Sequence, residues 1–244
     1  MKSSLDEYFE IVRGQLAAIE QTQRQNIETA AQWVADALGR NRFINAFGSG
    51  HSHALAEELF YRAGGLARVI PILDSRLMVH ESASSSTAWE RKEGLASEIL
   101  SRYDLGRGDV LFIISNSGRN PVPIEMALEG VKRGAKVVAI SSAQYGGAHA
   151  SRHSSGKKLA DIANLVIDNQ GVAGDAVVAI DGLKQRAGPV STISSAFILN
   201  GIMVEAAARA VAAGGRPEVW GSANSDSTNN DAILEKYKGR IPHL

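Results

Sequence analysis

Residues 109–114 end in Val110-Leu111-Phe112-Ile113-Ile114, an unbroken apolar run; a helical pattern over 122–133, Gly134 and a second apolar run over 136–141 follow. A run without a polar face marks a strand buried on both sides. Two such strands joined by a helix-length crossover pair in parallel. The same alternation extends both ways along the chain. Strand 42–47 leads to helix 52–63, which meets the stop signal Gly64-Gly65; strand 68–73 follows, and its Pro71 argues for a strand end or a sheet edge. A polar loop over 74–88 precedes helix 89–102, and a loop rich in serine, glycine and histidine covers 142–156. Short apolar runs lie at 163–167 and 176–180, helix 190–213 is the most apolar, and a polar segment at 221–230 leads to a last helix at 231–238. This order predicts an α/β fold, a mostly parallel sheet with helices on both faces.

Ahead of the first strand, residues 5–38 carry apolar side chains at three- and four-residue steps, from Leu5 through Val12, Ile19 and Ile27 to Leu38. A helix this long packs on its own domain or against another subunit. No repeat or linker divides the chain, so 1–244 reads as one domain: a helical segment (1–40), a core (42–213) and a C-terminal extension (214–244). The stretch from Val219 to Ser227 reads as too polar for core and is expected to wrap a neighbouring subunit near the pocket.

The 26 basic and 26 acidic side chains cancel, so no net field favours nucleic acid or an anionic membrane, and neither is expected as a partner. The absence of cysteine excludes disulfides, thiolate metal sites and thiol nucleophiles. The opening residues, with Lys2, Asp6 and Glu7, lack the apolar centre of a signal peptide. The apolar stretches read as shorter than the ~18–20 residues of a membrane span. A cytoplasmic protein is expected.

Any selectivity for anions must then be local, and two turns offer it. Gly48-Ser49-Gly50-His51-Ser52-His53 and Ser115-Asn116-Ser117-Gly118-Arg119-Asn120 each follow a buried strand and open a helix. Backbone N–H groups unpaired at such a junction bind anions, and serine hydroxyls add donors. Candidate binding residues are Ser49, Gly50 and Ser52 in the first turn, and Ser115, Asn116, Ser117, Gly118, Arg119 and Asn120 in the second. Gly118 permits close approach of backbone to ligand, and Pro121 or Pro123 can start the helix. The first turn does not complete the dinucleotide fingerprint, and no Lys-Ser/Thr pair closes a phosphate loop. No cofactor is expected.

His51 and His53 stand at the helix start, with Glu57 and Glu58 beyond; His53 and Glu57 share one helical face. The pair lacks the second histidine of a zinc motif, so no metal is expected. Beside an anion pocket such groups suit proton transfer. Glu81, Glu90 and Glu93 lie in or just after the polar loop behind the second strand, and Glu90 is the catalytic candidate among them. His153, within Ser151-Arg152-His153-Ser154-Ser155-Gly156-Lys157, is a further candidate; the plain alternative for that segment is a solvated basic turn.

The succession strand, Gly48-Ser49-Gly50-His51-Ser52, helix, strand, Ile114-Ser115-Asn116-Ser117-Gly118, helix resembles the sugar isomerase (SIS) domain over about residues 42–213. A closer likeness, carried by Phe47 to His53, Ala56 to Gly65 and Ser151 to Lys157, extends over nearly the whole chain to a stand-alone, phosphoheptose-isomerase-like branch. The resemblance implies a three-layer flavodoxin-like fold with a five-stranded parallel sheet, and a homodimer or homotetramer with pockets near subunit interfaces. It implies an acidic sugar as ligand, with Ser115, Ser117 and the Asn116 backbone on a phosphate, and Ser49 and Ser52 on sugar hydroxyls or the same phosphate. Glu58, in Ala56-Glu57-Glu58-Leu59, matches the family's base. The family's partner histidine lies on a late helix; 190–213 contains none, which moves that role to His153 or His51. Asn120 stands where the family has threonine or serine, with Arg119 before it, and arginine suits phosphate, carboxylate or sulfonate.

The activity so implied is aldose–ketose isomerisation of an acidic sugar, foremost a sugar phosphate, through a cis-enediol. The alternatives are a non-catalytic sugar-phosphate sensor, a lyase, etherase or deaminase on an amino-sugar phosphate, and an isomerase of a sulfonate sugar.

Overall fold

The computed structural model describes residues 3–226 and 229–244; Met1, Lys2, Ser227 and Thr228 lie outside them. In chain order the main elements are α1 (Ser4–Gly39), β1 (Ile44–Gly48), α2 (His53–Leu59), β2 (Val69–Ile72), α3 (Ala83–Glu90), α4 (Leu95–Leu100), β3 (Val110–Ile114), α5 (Pro121–Lys132) and β4 (Lys136–Ser141). They continue with α6 (Ala143–Ala148), β5 (Leu165–Asp168), β6 (Ala176–Val178), β7 (Ala187–Pro189), α7 (Ser191–Ala212) and α8 (Asp231–Tyr237).

Strands β1 to β5 form one parallel five-stranded sheet in the order β2-β1-β3-β4-β5. Because alternate strand residues face opposite sides, the sheet supports two cores. Ile44, Ala46, Phe112 and Ile140 pack under α1, α2 and α7, through Ile19, Val34, Leu55, Leu59, Ile198 and Ile202. Phe47, Leu111, Ile113 and Val137 pack under α4, α5 and α8, through Ile99, Leu100, Val122, Met126 and Tyr237. The result is a three-layer α/β fold. Pro71 sits in β2, an edge strand, where a missing N–H costs least.

The chain runs from β1 outward to β2 and returns to β3 on the other flank, so the order reverses between β1 and β3. Ligands bind at the carboxyl ends of strands at such a switch point. Gly48 lies opposite Ile114 in register. Ser49 and Ser115 therefore leave neighbouring strands side by side.

Several segments differ from the sequence reading. The region read as a polar loop, 74–88, contains most of α3, because Ser82 caps it by accepting from the Ser85 N–H. The helix read over 89–102 is two pieces: Glu90 ends α3, and Gly94, at φ +87°, precedes α4. The loop read over 142–156 holds α6, capped by the Ser142 hydroxyl, which accepts from Tyr145 N. The apolar run at 176–180 starts a separate antiparallel ribbon, β6 with β7. Helix 52–63 stops at Leu59, and the Gly64 N–H donates to the Trp220 carbonyl instead of capping it. Beside it runs an antiparallel bridge, Leu66 with Val219, through Trp220 N–H to Gly65 O and Ala67 N–H to Glu218 O, and Trp220 is seated at 2% exposure. Trp220, within the stretch read as too polar for core, is thus core, packed on its own chain. Helix α7 is long and apolar enough, by length and composition, to cross a membrane, contrary to the sequence reading. Here it lies along α1 and places Ile198, Leu199, Ile202 and Ala206 in the core.

Candidate functional site

At residue 48 a Cβ would lie 2.2 Å from the Ser52 carbonyl oxygen, so only glycine lets the chain fold back at the top of β1. Ser49 follows in extended conformation, and Gly50, at φ +58°, starts the single turn leading into α2. Gly118 in the second turn has the same φ, +58°. Its N–H donates to the Ser115 hydroxyl oxygen (3.2 Å), and its carbonyl accepts from Leu159 N–H (2.9 Å). The two turns thus share a glycine of left-handed φ but differ in detail, since among the described residues the Ser49 hydroxyl accepts no backbone N–H of its own turn. Ser49, Ser115 and Asn120 are buried, while Gly50, Ser52, Asn116, Ser117 and Arg119 are half-buried. Among the described residues the Ser52 and Ser117 hydroxyls make no hydrogen bond within the chain. Their capacity is open to a ligand. The Asn116 side-chain oxygen instead accepts from Asn169 Nδ2 at 3.1 Å. Pro121 and Pro123 open α5 and remove two N–H donors from its first turn.

Glu90 reaches the site from the end of α3, and Ser49 Oγ donates to its Oε1 at 2.8 Å. This contact joins a carboxylate to the serine at the head of the central strand. Of the two histidines in the first turn, His51 is exposed and His53 buried. His53 Nδ1 lies 2.6 Å from the Gly50 carbonyl oxygen. A carbonyl can only accept, so Nδ1 carries a proton and Nε2 faces away from that bond. That atom is 3.8 Å from Glu57, and the His80 ring is 5.5 Å from the His53 ring.

His153 belongs to a segment latched over the second turn. Ser154 donates to Glu93 twice, from its N–H (2.6 Å) and its hydroxyl (2.8 Å). The backbone bond first, then the hydroxyl, hold the Glu93 carboxyl below the ordinary carboxylate range. Glu125 of α5 accepts from Gly94 N–H at 2.7 Å, ahead of α4, and lies 3.7 Å from His153 Nε2. His153 Nδ1 accepts from Ser155 N–H at 3.2 Å. Glu93, Glu125 and His153 offer ligand atoms within 4.8 Å of one another, a set that suits a divalent cation. Both carboxylates already accept backbone N–H bonds, so the arrangement explains itself as a latch.

The latched segment presents Arg152, whose Nη1 donates to Asn120 Oδ1 (2.9 Å) and whose N–H donates to the Arg119 carbonyl (2.8 Å). Arg119 Nε in turn donates to Ala150 O at 2.9 Å. Burial, then the guanidiniums of Arg119 and Arg91, push Arg152 below its ordinary value, and Glu90 pulls it back.

Glu58 is placed differently. It is bonded by Arg62 and by Asn200 Nδ2 (3.0 Å), and it lines a hollow of about 120 Å³ with Met203 and Val204. Among the described residues no hydrogen bond or ion pair joins Glu58 to either serine turn. On the late helix, where the resemblance expects a histidine, Asn200 meets it. The structure thus brings Ser49 together with Glu90, and Asn120 together with Arg152 and the His153 segment, and leaves Glu58 on the α7 side. Sequence reasoning did not single out Arg152, Glu125 or the buried role of His53. Arg152 stood in a segment whose plain reading was a basic turn, and nothing local marks Glu125.

The comparisons with known proteins agree with this architecture. The SIS domain matches residues 7–142, more than half of the chain. A UPF0309 protein of Thermoanaerobacter pseudethanolicus is 46% identical over 244 residues, covering 98% of this chain and 99% of the relative. A UPF0309 protein of Geobacillus sp. is 41% identical over 242 residues, covering 98% of each chain. Among solved structures, phosphoheptose isomerase from Neisseria gonorrhoeae shares the fold at TM-score 0.55 and 17% identity, covering 82% of this chain and 96% of its own. A phosphoheptose isomerase from Francisella tularensis gives TM-score 0.54 at 15% identity, covering 84% of this chain and 98% of its own. With its switch-point serine turns and this match, the chain belongs to the SIS domain family.

Proposed function

We propose that the chain is a cytoplasmic aldose–ketose isomerase acting on an acidic sugar, foremost a sugar phosphate, through a cis-enediol. The observation that carries this reading is the Ser49–Glu90 bond at the switch point, beside a second serine turn with an open hydroxyl at Ser117. The second turn, with Arg119, holds the anionic group; Ser52 and Ser49 hold sugar hydroxyls. Glu90 takes the proton from the carbon next to the carbonyl and returns it to the neighbouring carbon. The carbonyl and hydroxyl oxygens exchange a proton through a second group, His51 or His153, since Glu58 is tied to Arg62 and Asn200 on the α7 side. A positioned acid/base supplies roughly 10²–10⁴-fold, and the bound anion orients the reacting end.

A second copy of the chain completes the reading as a partner. Ile193, Phe197, Gly201, Val204, Ala208 and Val211 recur at three- and four-residue steps along the outer face of α7. Ile193, Phe197, Val204 and Val211 are 41%, 45%, 71% and 60% exposed. A seam with that spacing suits helix-on-helix packing. It borders a hollow of about 780 Å³ against α1, rimmed by Glu20, Glu28 and Glu205 and by Arg24, and mixed charge allows a two-fold contact.

The test is proton NMR in D₂O with a panel of sugar phosphates and sulfonates. An isomerase washes deuterium into the carbon next to the carbonyl and yields the ketose–aldose pair. Binding without exchange identifies a sensor, and fragmentation identifies a lyase or etherase.

A further inference from the structure

Arg152, Arg119 and Arg91 converge near the second turn, and among the described residues none of them has a carboxylate within 4 Å. Elsewhere in the chain Arg62, Arg76, Arg102 and Arg209 each have such a partner. The nearby carboxylate, Glu90, is already bonded by Ser49. Among the described residues the only side-chain hydrogen bond of Arg152 is the one from Nη1 to the neutral Asn120 amide, which orients the guanidinium and leaves most of its donors unused. The segment that carries it is clamped by two Ser154–Glu93 bonds and by the Ser151 hydroxyl, which donates to Lys157 O at 2.7 Å. A fork held this firmly and facing no anion of its own chain is preorganised for one from outside. One sugar-borne phosphate is served by the serine hydroxyls and Arg119. That leaves Arg152, with Arg91, in excess.

We propose that Arg152 binds a second acidic group of the ligand, so that the site selects a phosphosugar that also carries a carboxylate. The proposal rests on the acidic-sugar reading of the pocket and narrows its substrate class. Glu93 acts here as a positioning residue, since it holds the segment and not the ligand.

The experiment compares 6-phosphogluconate with glucitol 6-phosphate, which share a carbon chain and a phosphate and differ at the terminal carboxylate. Affinities are measured by calorimetry on the full chain at fixed salt. The wild type is expected to favour 6-phosphogluconate by about tenfold or more, the scale of one charge-assisted pair. Arg152→Gln is expected to erase that preference while changing glucitol 6-phosphate binding less than about threefold. Arg152→Lys, which keeps charge and loses the fork, is expected to keep part of the preference; it also serves if the glutamine variant folds poorly. Equal affinity of the wild type for the two probes overturns the proposal, as does an equal loss of both in Arg152→Gln. If both probes bind equally, the acidic-sugar reading stands and only the second anion is lost. If neither binds, both fall together.

Discussion

Gly48 and Glu90 set the site at the smallest scale. A Cβ at residue 48 meets the Ser52 carbonyl oxygen at 2.2 Å, and backbone cannot yield as a flexible side chain can. Gly48→Ala is expected to cost about 1–3 kcal/mol, read by urea unfolding, and to weaken phosphate-probe binding by moving Ser49 and Ser52. Glu90→Gln keeps an oxygen that accepts from Ser49 and loses the carboxylate proposed as the base. Its kcat is expected to fall by roughly 10²–10⁴ with KM little changed, measured by isomerisation and D₂O exchange. A raised KM with kcat unchanged would instead make Glu90 an anchor for the substrate. Glu90 was legible in the sequence because it follows a strand end in a polar segment. Arg152 and Glu125 were not, because their partners are set by the packing of α5 and of the 151–158 segment, which no local pattern records.

At the scale of elements, α8 is held by a polar knot. Tyr237 donates to Glu218 and accepts from Arg68 Nε at 2.8 Å, and Lys236 pairs with Glu218. Burial, then the bond to Glu218, push the Tyr237 hydroxyl up to about 12. A folded-state value above the unfolded one, about 10, means that the fold favours the protonated hydroxyl. Its contribution to stability is therefore whole below pH about 10 and disappears as the pH rises toward about 12. Unfolding midpoints followed by circular dichroism are expected to drop across that window, and Tyr237→Phe to flatten the drop. Long periodic elements were readable: α1, β3, α5, β4 and α7 lie within a few residues of their sequence positions. The failures have physical causes. Serine at 82 and 84–86 reads as loop, yet Ser82 caps α3 and the following turn satisfies itself. Strand β7, Ala187-Gly188-Pro189, carries the residues least typical of strands and is extended because it pairs with β6.

For the whole molecule the exposed outer seam of α7 is the feature that the proposed second copy would cover. Phe197→Asp combined with Val204→Asp alters residues that are 45% and 71% exposed, so the monomer fold is expected to survive by circular dichroism. Light scattering is expected to show the assembly reduced to monomers; an unchanged mass sinks the seam as an interface. The sheet order was legible only through the family resemblance, since alternation predicts parallel pairing but not which strand flanks which. That order also sets when the pocket comes into being. A nascent chain that has emerged as far as β2 owns the first turn and no site, because the strand that brings Ser115 beside Ser49 is still to be made. Arg152 arrives later still. Ligand therefore finds nothing to hold on a half-synthesised chain, and each bound molecule reports a sheet that has already closed its central gap.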